Sequence, residues 1–340
     1  MPVYDAERYL RESIGSILGQ TCQDFELIII SEHDTSAESI RIIESYSDPR
    51  IRHIHNERRL GLAQSRNVGL AHANGEYIAC MDADDVSSRV RLEREVEFLD
   101  EHPSIGVVGS WFEVIDGNGR VISKECPPVE PALIKWRLLF GSVIANPSAM
   151  VRRTIYDELK GYNFRLRFAE DYEFWTRAAR ITELANLTHI LLRYRTHKTS
   201  ASVAHAQSMY EDALRISRKA IAIALGENVS LRFLSVLARP SSVGRLRDYH
   251  DAAITFRDLC LQYTSQIAIS QAERSLIRRD SARTLLGLAM WCRKNAIFSV
   301  LILSIVLRLA REHSFRLLAS STLTAAKHIL MHIYRGQPLG

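Results

Sequence analysis

Cysteine is scarce in this 340-residue chain, and Cys22, Cys80, Cys126, Cys260 and Cys292 are scattered with no C-x-x-C pair among them. That spacing argues against a zinc site or a disulfide framework and fits a reducing compartment. A signal-peptide pattern is also lacking, because Met1-Pro2-Val3-Tyr4-Asp5 has no basic region followed by an apolar core. Cytoplasmic residence is the expectation. The apolar-or-small run Ala296 to Leu307, interrupted only by Ser299 and Ser304, falls short of the about 20 residues that span a bilayer. It reads either as a buried helix or as an interfacial one, with Arg293, Lys294, Arg308, Arg311 and Arg316 at its ends.

What is present is enough apolar residue, 46% of the chain, to build one large or two ordinary domains. The net charge of +5 is unevenly spread. Residues 1 to 200 carry 25 Lys and Arg against 30 Asp and Glu, whereas residues 201 to 340 carry 19 against 9. A basic second part suits nucleic acid, an anionic membrane surface or a solvated helical face, and charge alone does not separate them.

The first 125 residues alternate between helical and strand patterns. Helical stretches at Ala6 to Gln20, Ala37 to Tyr46 and Leu60 to Ala73 separate the apolar runs Phe25 to Ile30, Ile51 to His55 and Glu76 to Met81. Short, nearly all-apolar strands between helices predict a parallel sheet covered on both faces. Ligands bind such sheets at the carboxyl ends of the strands, where Ser31-Glu32 and Asp82 to Asp85 fall. An opening strand is missing from this alternation, since Met1-Pro2-Val3-Tyr4 runs almost at once into a helix. Either the first strand is a stub or the start lies upstream. After a charged helical stretch, Arg89 to Glu101, strands are expected at Ile105 to Gly109, Trp111 to Ile115 and Arg120 to Ser123. The last two flank the hairpin signal Asp116-Gly117-Asn118-Gly119. The sheet therefore turns partly antiparallel. Pro127, Pro128 and Pro131 mark a loop before a short helix, and Asn146 to Val151 reads as a further strand. From about His205 strand signals vanish, and Ala238 to Ser242 breaks a helical region. Two parts are expected, residues 1–204 and a helical region, residues 205–340.

The three carboxylates of Asp82-Ala83-Asp84-Asp85 lie directly behind an apolar strand. A hard cation such as Mg²⁺ takes one or two carboxylates and fills its shell with water and phosphate oxygens, so this placement suits recognition of a nucleotide diphosphate. A solvated acidic turn is the bland alternative.

Further strings bear on that choice. Pro2-Val3-Tyr4, Gln20-Thr21, Asp24-Phe25-Glu26-Leu27-Ile28, Asn56-Glu57-x-x-Leu60-Gly61-Leu62-Ala63, Arg66-Asn67-x-Gly69, Gly75-Glu76-Tyr77-Ile78 and Asp82-Ala83-Asp84-Asp85 come in this order. They are followed by Asn146-Pro147-Ser148, Gly161-Tyr162, Ala169-Glu170-Asp171-Tyr172-Glu173-x-Trp175 and Tyr194-Arg195-x-His197. Together they resemble the family 2 glycosyltransferases, inverting enzymes with the GT-A fold, over roughly residues 1 to 200. The resemblance implies an α/β GT-A nucleotide-diphospho-sugar transferase with a mostly parallel central sheet, its first strand apparently truncated, followed by the helical region.

It also implies roles. Asp84 would hold a divalent metal, Mg²⁺ or Mn²⁺, with Asp82 on the ribose or a metal-bound water and His197 completing the metal site. Asp171 would be the general base, its pKa raised by burial or by Glu170, although both residues also suit a helix N-terminus. Arg66 would reach the diphosphate or lock Asp82. Pro2, Val3, Tyr4, Glu32 and Ala83 would complete the nucleotide-sugar site, and Gly161 and Tyr162 would form an acceptor-side turn or a helix terminator. The implied activity is that of a metal-dependent, hexosyltransferase-like enzyme of bacterial polysaccharide or glycoconjugate assembly. It would use a UDP-sugar and a saccharide or lipid-linked acceptor, with no nucleic acid partner. Peripheral contact with the inner face of the cell membrane would run through the basic C-terminal helices.

The chain departs from the family where two aspartates and a glycine usually follow the second strand. Ser31-Glu32-His33-Asp34 stands there, so Glu32 would replace the aspartate that contacts the nucleobase. Two rivals follow. The acidic string also resembles the nucleophile motif of haloacid dehalogenase-type phosphatases, but two strand-helix units precede it here. A catalytically degenerate nucleotide-binding or membrane-complex scaffold is motivated by the short first strand and the altered turn.

Overall fold

Leu27-Ile28-Ile29-Ile30-Ser31 is buried at every position, which only a strand covered on both faces permits. In the computed structural model, which describes residues 1–197, 200–242, 245–291, 301, 302 and 304–306, this run is the middle strand of a parallel sheet. The order is β1 (Pro2–Val3), β2 (Leu27–Ser31), β3 (Ile51–His55). The first strand is thus a stub of two residues, pairing Pro2 with Ile30 and Val3 with Ser31. Helices α1 (Glu7–Leu18), α2 (Ala37–Glu44) and α3 (Leu62–His72) connect and cover these strands. On one face Leu10, Ile14 and Ile42 pack with Leu27 and Ile29. On the other, Gly69 of α3 faces Ile30 so closely that a Cβ there would lie 2.8 Å from Ile30 Cδ1, and a larger residue would require that side chain to shift.

Beside the stub lies a cavity of about 790 Å³, bounded by Leu27, Ile28 and Ile30 on one side and by Tyr77 and Ile78 on the other. Those last two belong to β4 (Tyr77–Ala79), which opens a second, six-stranded sheet with β5 (Val86–Ser87), β6 (Ile105–Ile115), β7 (Val121–Glu125), β8 (Met150–Arg152) and β9 (Glu183–Arg195). Its order is β4-β8-β6-β9-β5, with β7 also on β6. The long β6 and β9 run parallel and the other pairs antiparallel. Helices α4 (Arg91–Glu101), α5 (Pro131–Arg137), α6 (Arg153–Leu159) and α7 (Glu170–Ala178) lie between these strands in sequence. Residues 105–109 and 111–115, expected as two strands, form one, with the register slipping at Trp111. The strand expected from Asn146 begins only at Met150. Residues Asn146–Ser148 form a 3₁₀ turn, because Pro147 has no N–H for a ladder and its φ suits a helical turn.

The chain divides into two compact units: Met1–Leu138 with Ser142–Ile216, and Leu139–Gly141 with the chain from Ser217 onward. Helices α8 (Ala201–Ala204) and α9 (Ala206–Leu225) precede α10 (Leu231–Ala238), α11 (Leu246–Gln266) and α12 (Gln271–Trp291). In the second unit Phe256, Leu259, Tyr263, Ile277 and Leu285 are buried at the helical spacing of their elements. Ser230 caps α10 by accepting from the Phe233 amide. No helix among the described residues is long and apolar enough to cross a membrane. Most of the run Ala296 to Leu307, its basic flanks Arg293, Lys294, Arg308, Arg311 and Arg316, and Cys292 lie outside the described residues. The four described cysteines are free thiols.

Candidate active site

The acidic turn follows β4, and its carboxylates take different surroundings. Asp82 Oδ1 accepts from Arg66 Nη2 at 2.9 Å, and Asp84 Oδ2 lies 3.0 Å from His197 Nε2. Asp85 is buried, and its Oδ1 accepts the Arg195 amide at 2.7 Å, which ties the turn to the end of β9. Burial pushes the Asp84 carboxyl up, the Asp82 charge adds to this, and His197 opposes it. His197 is held in place by its backbone amide, which donates a hydrogen bond to Ser200 Oγ at 3.0 Å, and by the Tyr9 ring, whose centroid lies 4.9 Å away.

Arg66 sits on the second turn of α3, and its other amino group donates to Glu170 Oε1. One guanidinium thus joins the acidic turn to the start of α7. Its side chain is only 9% exposed, and although burial works against a charge there, Asp82 and Glu170 keep it protonated. The Tyr162 ring packs under it, 5.6 Å from the guanidinium carbon.

Helix α7 starts at Glu170 after Ala169, which takes a left-handed conformation with φ 55°. That sharp entry puts Glu170 and Asp171 together on the first turn, where the helix dipole favours carboxylates. Both roles weighed from the sequence are compatible here. Burial raises both carboxyls above the usual range while Arg66 opposes the rise. The helix itself is fixed by buried Tyr172, Phe174 and Trp175, with Phe174 stacked 4.6 Å from Tyr156. Arg177 donates to the Leu159 and Gly161 carbonyls at 2.7 and 2.8 Å, locking α7 to the turn that ends α6.

That turn is a helix terminator. Lys160 and Gly161 have φ of 60° and 72°. Asn67, the neighbour of Arg66, accepts from the Tyr162 amide at 2.8 Å and donates to the Tyr162 carbonyl at 2.9 Å. Tyr162 is buried, and its hydroxyl joins Tyr156, Asn146 and Cys80. Its side chain therefore supports Arg66 from beneath rather than standing at the surface.

Of the residues expected at a nucleotide, Val3 and Ala83 are core residues and Pro2 is half-buried, whereas Tyr4 is 43% exposed with the Arg59 guanidinium 4.4 Å from its ring. Glu32 is committed to protein. Leu60 and Gly61 amides donate to it at 2.8 and 2.9 Å, Ser65 Oγ at 2.7 Å and Asn56 Nδ2 at 3.5 Å. It holds the entry of α3, a task the sequence did not signal. Asn67, Arg195 and Tyr9 were likewise missed as organisers, although the first two lie inside quoted strings.

The donor set suits a hard divalent cation. A carboxylate with an imidazole beside it supplies two ligands, and donor phosphates and water commonly supply the others. Among the described residues no three His, Cys, Asp or Glu side chains are gathered as a ready cage. The raised Asp84 carboxyl is a charge that a cation would offset.

The profile described as Glycosyl transferase family 2 matches residues 1–160. An uncharacterized glycosyltransferase of Haemophilus influenzae is 32% identical over 264 residues, covering 73% of this chain and 78% of that protein. The chain belongs to glycosyl transferase family 2. This family 2 glycosyltransferase is also 28% identical over 204 residues to an Escherichia coli protein, the UDP-Glc:alpha-D-GlcNAc-diphosphoundecaprenol beta-1,3-glucosyltransferase WfgD, covering 59% of this chain and 78% of that one. Among solved structures, S. aureus TarS 1-349 in complex with UDP-GlcNAc aligns with TM-score 0.55 at 17% identity, over 93% of this chain and 91% of TarS. The fold is GT-A, an α/β architecture followed by a helical C-terminal region.

Proposed function

We propose that this glycosyltransferase moves a sugar from a nucleotide-diphosphate donor, a UDP-sugar, to an acceptor hydroxyl with inversion, in polysaccharide or glycoconjugate assembly. The observation that carries this reading is the Arg66 bridge between Asp82 and Glu170, which sets a cation and the raised Asp171 carboxyl at one place. Asp171 takes the proton of the acceptor hydroxyl. The freed oxygen lone pair forms a bond to the anomeric carbon from the side opposite the diphosphate, and the carbon–oxygen bond to the diphosphate breaks with its electrons. A single displacement inverts the centre. Glu170 holds Arg66, and Arg66 offers positive charge toward the departing diphosphate. Asp84 and His197, with Asp82, would hold Mg²⁺ or Mn²⁺, which when bound supplies further charge for the leaving group. Tyr4 is the stacking surface for the base. The transferase domain is taken as residues 1–204 and the helical region as 205–340. A cytoplasmic, membrane-peripheral setting belongs to the same proposal, supported by the lipid-linked acceptor in the name of the E. coli relative.

A thermal-shift panel of UDP, GDP and dTDP sugars with and without Mn²⁺ or Mg²⁺ tests the donor. Metal-dependent stabilisation by UDP-sugars is expected, weakened in Asp84→Asn and nearly intact in Asp171→Asn, which should abolish transfer. Nucleotide binding with no turnover in the unmutated protein across many acceptors would favour the scaffold alternative. Full activity in both variants would overturn the site.

A further inference from the structure

Between the Tyr162 turn and α7 runs the loop Asn163-Phe164-Arg165-Leu166-Arg167-Phe168-Ala169, and it is anchored along its length. Asn67 pins Tyr162 and Arg177 holds the Gly161 carbonyl at the start of the loop, Leu166 packs onto the core in the middle, and buried Ala169 accepts from the Glu173 amide at 3.1 Å at its end. The Leu166 amide donates to the Asn163 carbonyl at 3.1 Å, and the Arg165 amide to Asn163 Oδ1 at 3.2 Å. With Leu166 turned inward, its neighbours stand outward: Phe164 is 64% exposed, and Arg165 and Arg167 are exposed. Among the described residues neither guanidinium has a carboxylate partner. Arg167 lies over the Phe168 ring, 5.3 Å from its centroid, and Phe168 in turn meets His205 at 4.8 Å. Two guanidinium groups without carboxylate partners and an exposed aromatic ring thus stand on an anchored loop whose last residue, Ala169, lies two positions before the proposed base. Guanidinium recognises phosphate by paired charge-assisted hydrogen bonds, and an exposed phenyl ring seeks apolar surface.

We propose that this loop reads the acceptor, and that the acceptor is a lipid-linked one whose phosphate is bound by Arg165 and Arg167 while Phe164 covers the first part of its apolar chain. The proposal rests on the transferase reading for its place in the reaction, since the loop delivers that acceptor to Asp171. It does not need turnover to be tested.

Isothermal titration with geranyl diphosphate, in saturating UDP and Mg²⁺ so that the donor site is filled, reads the loop directly. Binding is expected for the parent protein, weaker by about tenfold or more in an Arg165→Ala, Arg167→Ala double variant whose melting temperature is unchanged. Phe164→Ala should weaken both geranyl diphosphate and geraniol. Inorganic pyrophosphate should bind less tightly than geranyl diphosphate, which separates the lipid-linked group from free phosphate. Equal binding by the parent and the double variant, equal binding of pyrophosphate and geranyl diphosphate, or no binding to the parent would overturn the proposal. Loss of nucleotide-sugar turnover with this binding intact would count against the transferase reading alone.

Discussion

At the scale of single residues, the proposed base Asp171 illustrates what burial does to a carboxyl. Removing water from around its carboxyl raises the pKa, and Arg66 only partly reverses the effect. The rate of transfer should therefore fall as pH drops through this raised pKa, placing the acid limb of the pH–rate profile above the ordinary aspartate value near 3.8. Asp171→Asn should lose that limb together with at least about a hundredfold in kcat. The sign for stability runs the other way. A carboxyl whose folded pKa is raised contributes stability that is present below its unfolded pKa and lost as pH rises through the folded one. Ligand-free Asp171→Asn should thus melt higher than the parent at neutral pH, with the gain shrinking as pH approaches 3.8. Melting curves across that range decide it.

At the scale of elements, two junctions hold the site. The entry of α3 hangs on Glu32, which accepts from two backbone amides, a hydroxyl and an amide side chain. Glu32→Gln puts an NH₂ among donors and is expected to cost about 1–3 kcal/mol by urea unfolding of the ligand-free protein. Stability unchanged by that substitution would mean that these contacts do not hold the α3 entry. The α6–α7 junction depends on Gly161, whose φ of 72° and missing Cβ, which would lie 2.5 Å from Asn67 Oδ1, leave no room for a side chain. Gly161→Ala should cost about 1–3 kcal/mol, read in the same way. These junctions mark the limit of legibility. The strands β2 and β3, the helices between them and the hairpin at Asp116 were readable, because period and turn chemistry are local. Glu32 and Arg91 were not. Arg91, in the stretch expected as a charged helix, is fully buried against Glu95 and donates to the Cys80 and Ala149 carbonyls at 3.0 and 3.2 Å. Partners 58 residues away leave no trace in a local pattern.

At the scale of the whole chain, the first unit has its own cores, one under each sheet and one around α7. A chain ending at residue 216 is expected to fold and to keep nucleotide binding, checked by thermal shift with UDP. Arg66, Asp82, Asp84, Glu170, Asp171 and His197 are candidates that the resemblance implies, and their mutual contacts required coordinates. That pairing has a consequence for selectivity. In the ligand-free site the single positive charge of Arg66 is shared by two carboxylates, Asp82 and Glu170. An incoming diphosphate meets a guanidinium that two carboxylates already engage, so part of its gain there is an exchange with them. Free phosphate, bringing charge but little contact, competes poorly in such an exchange. A nucleotide sugar brings base, ribose and sugar contacts along with its charge, so the bridge acts as a threshold that small anions fail to cross.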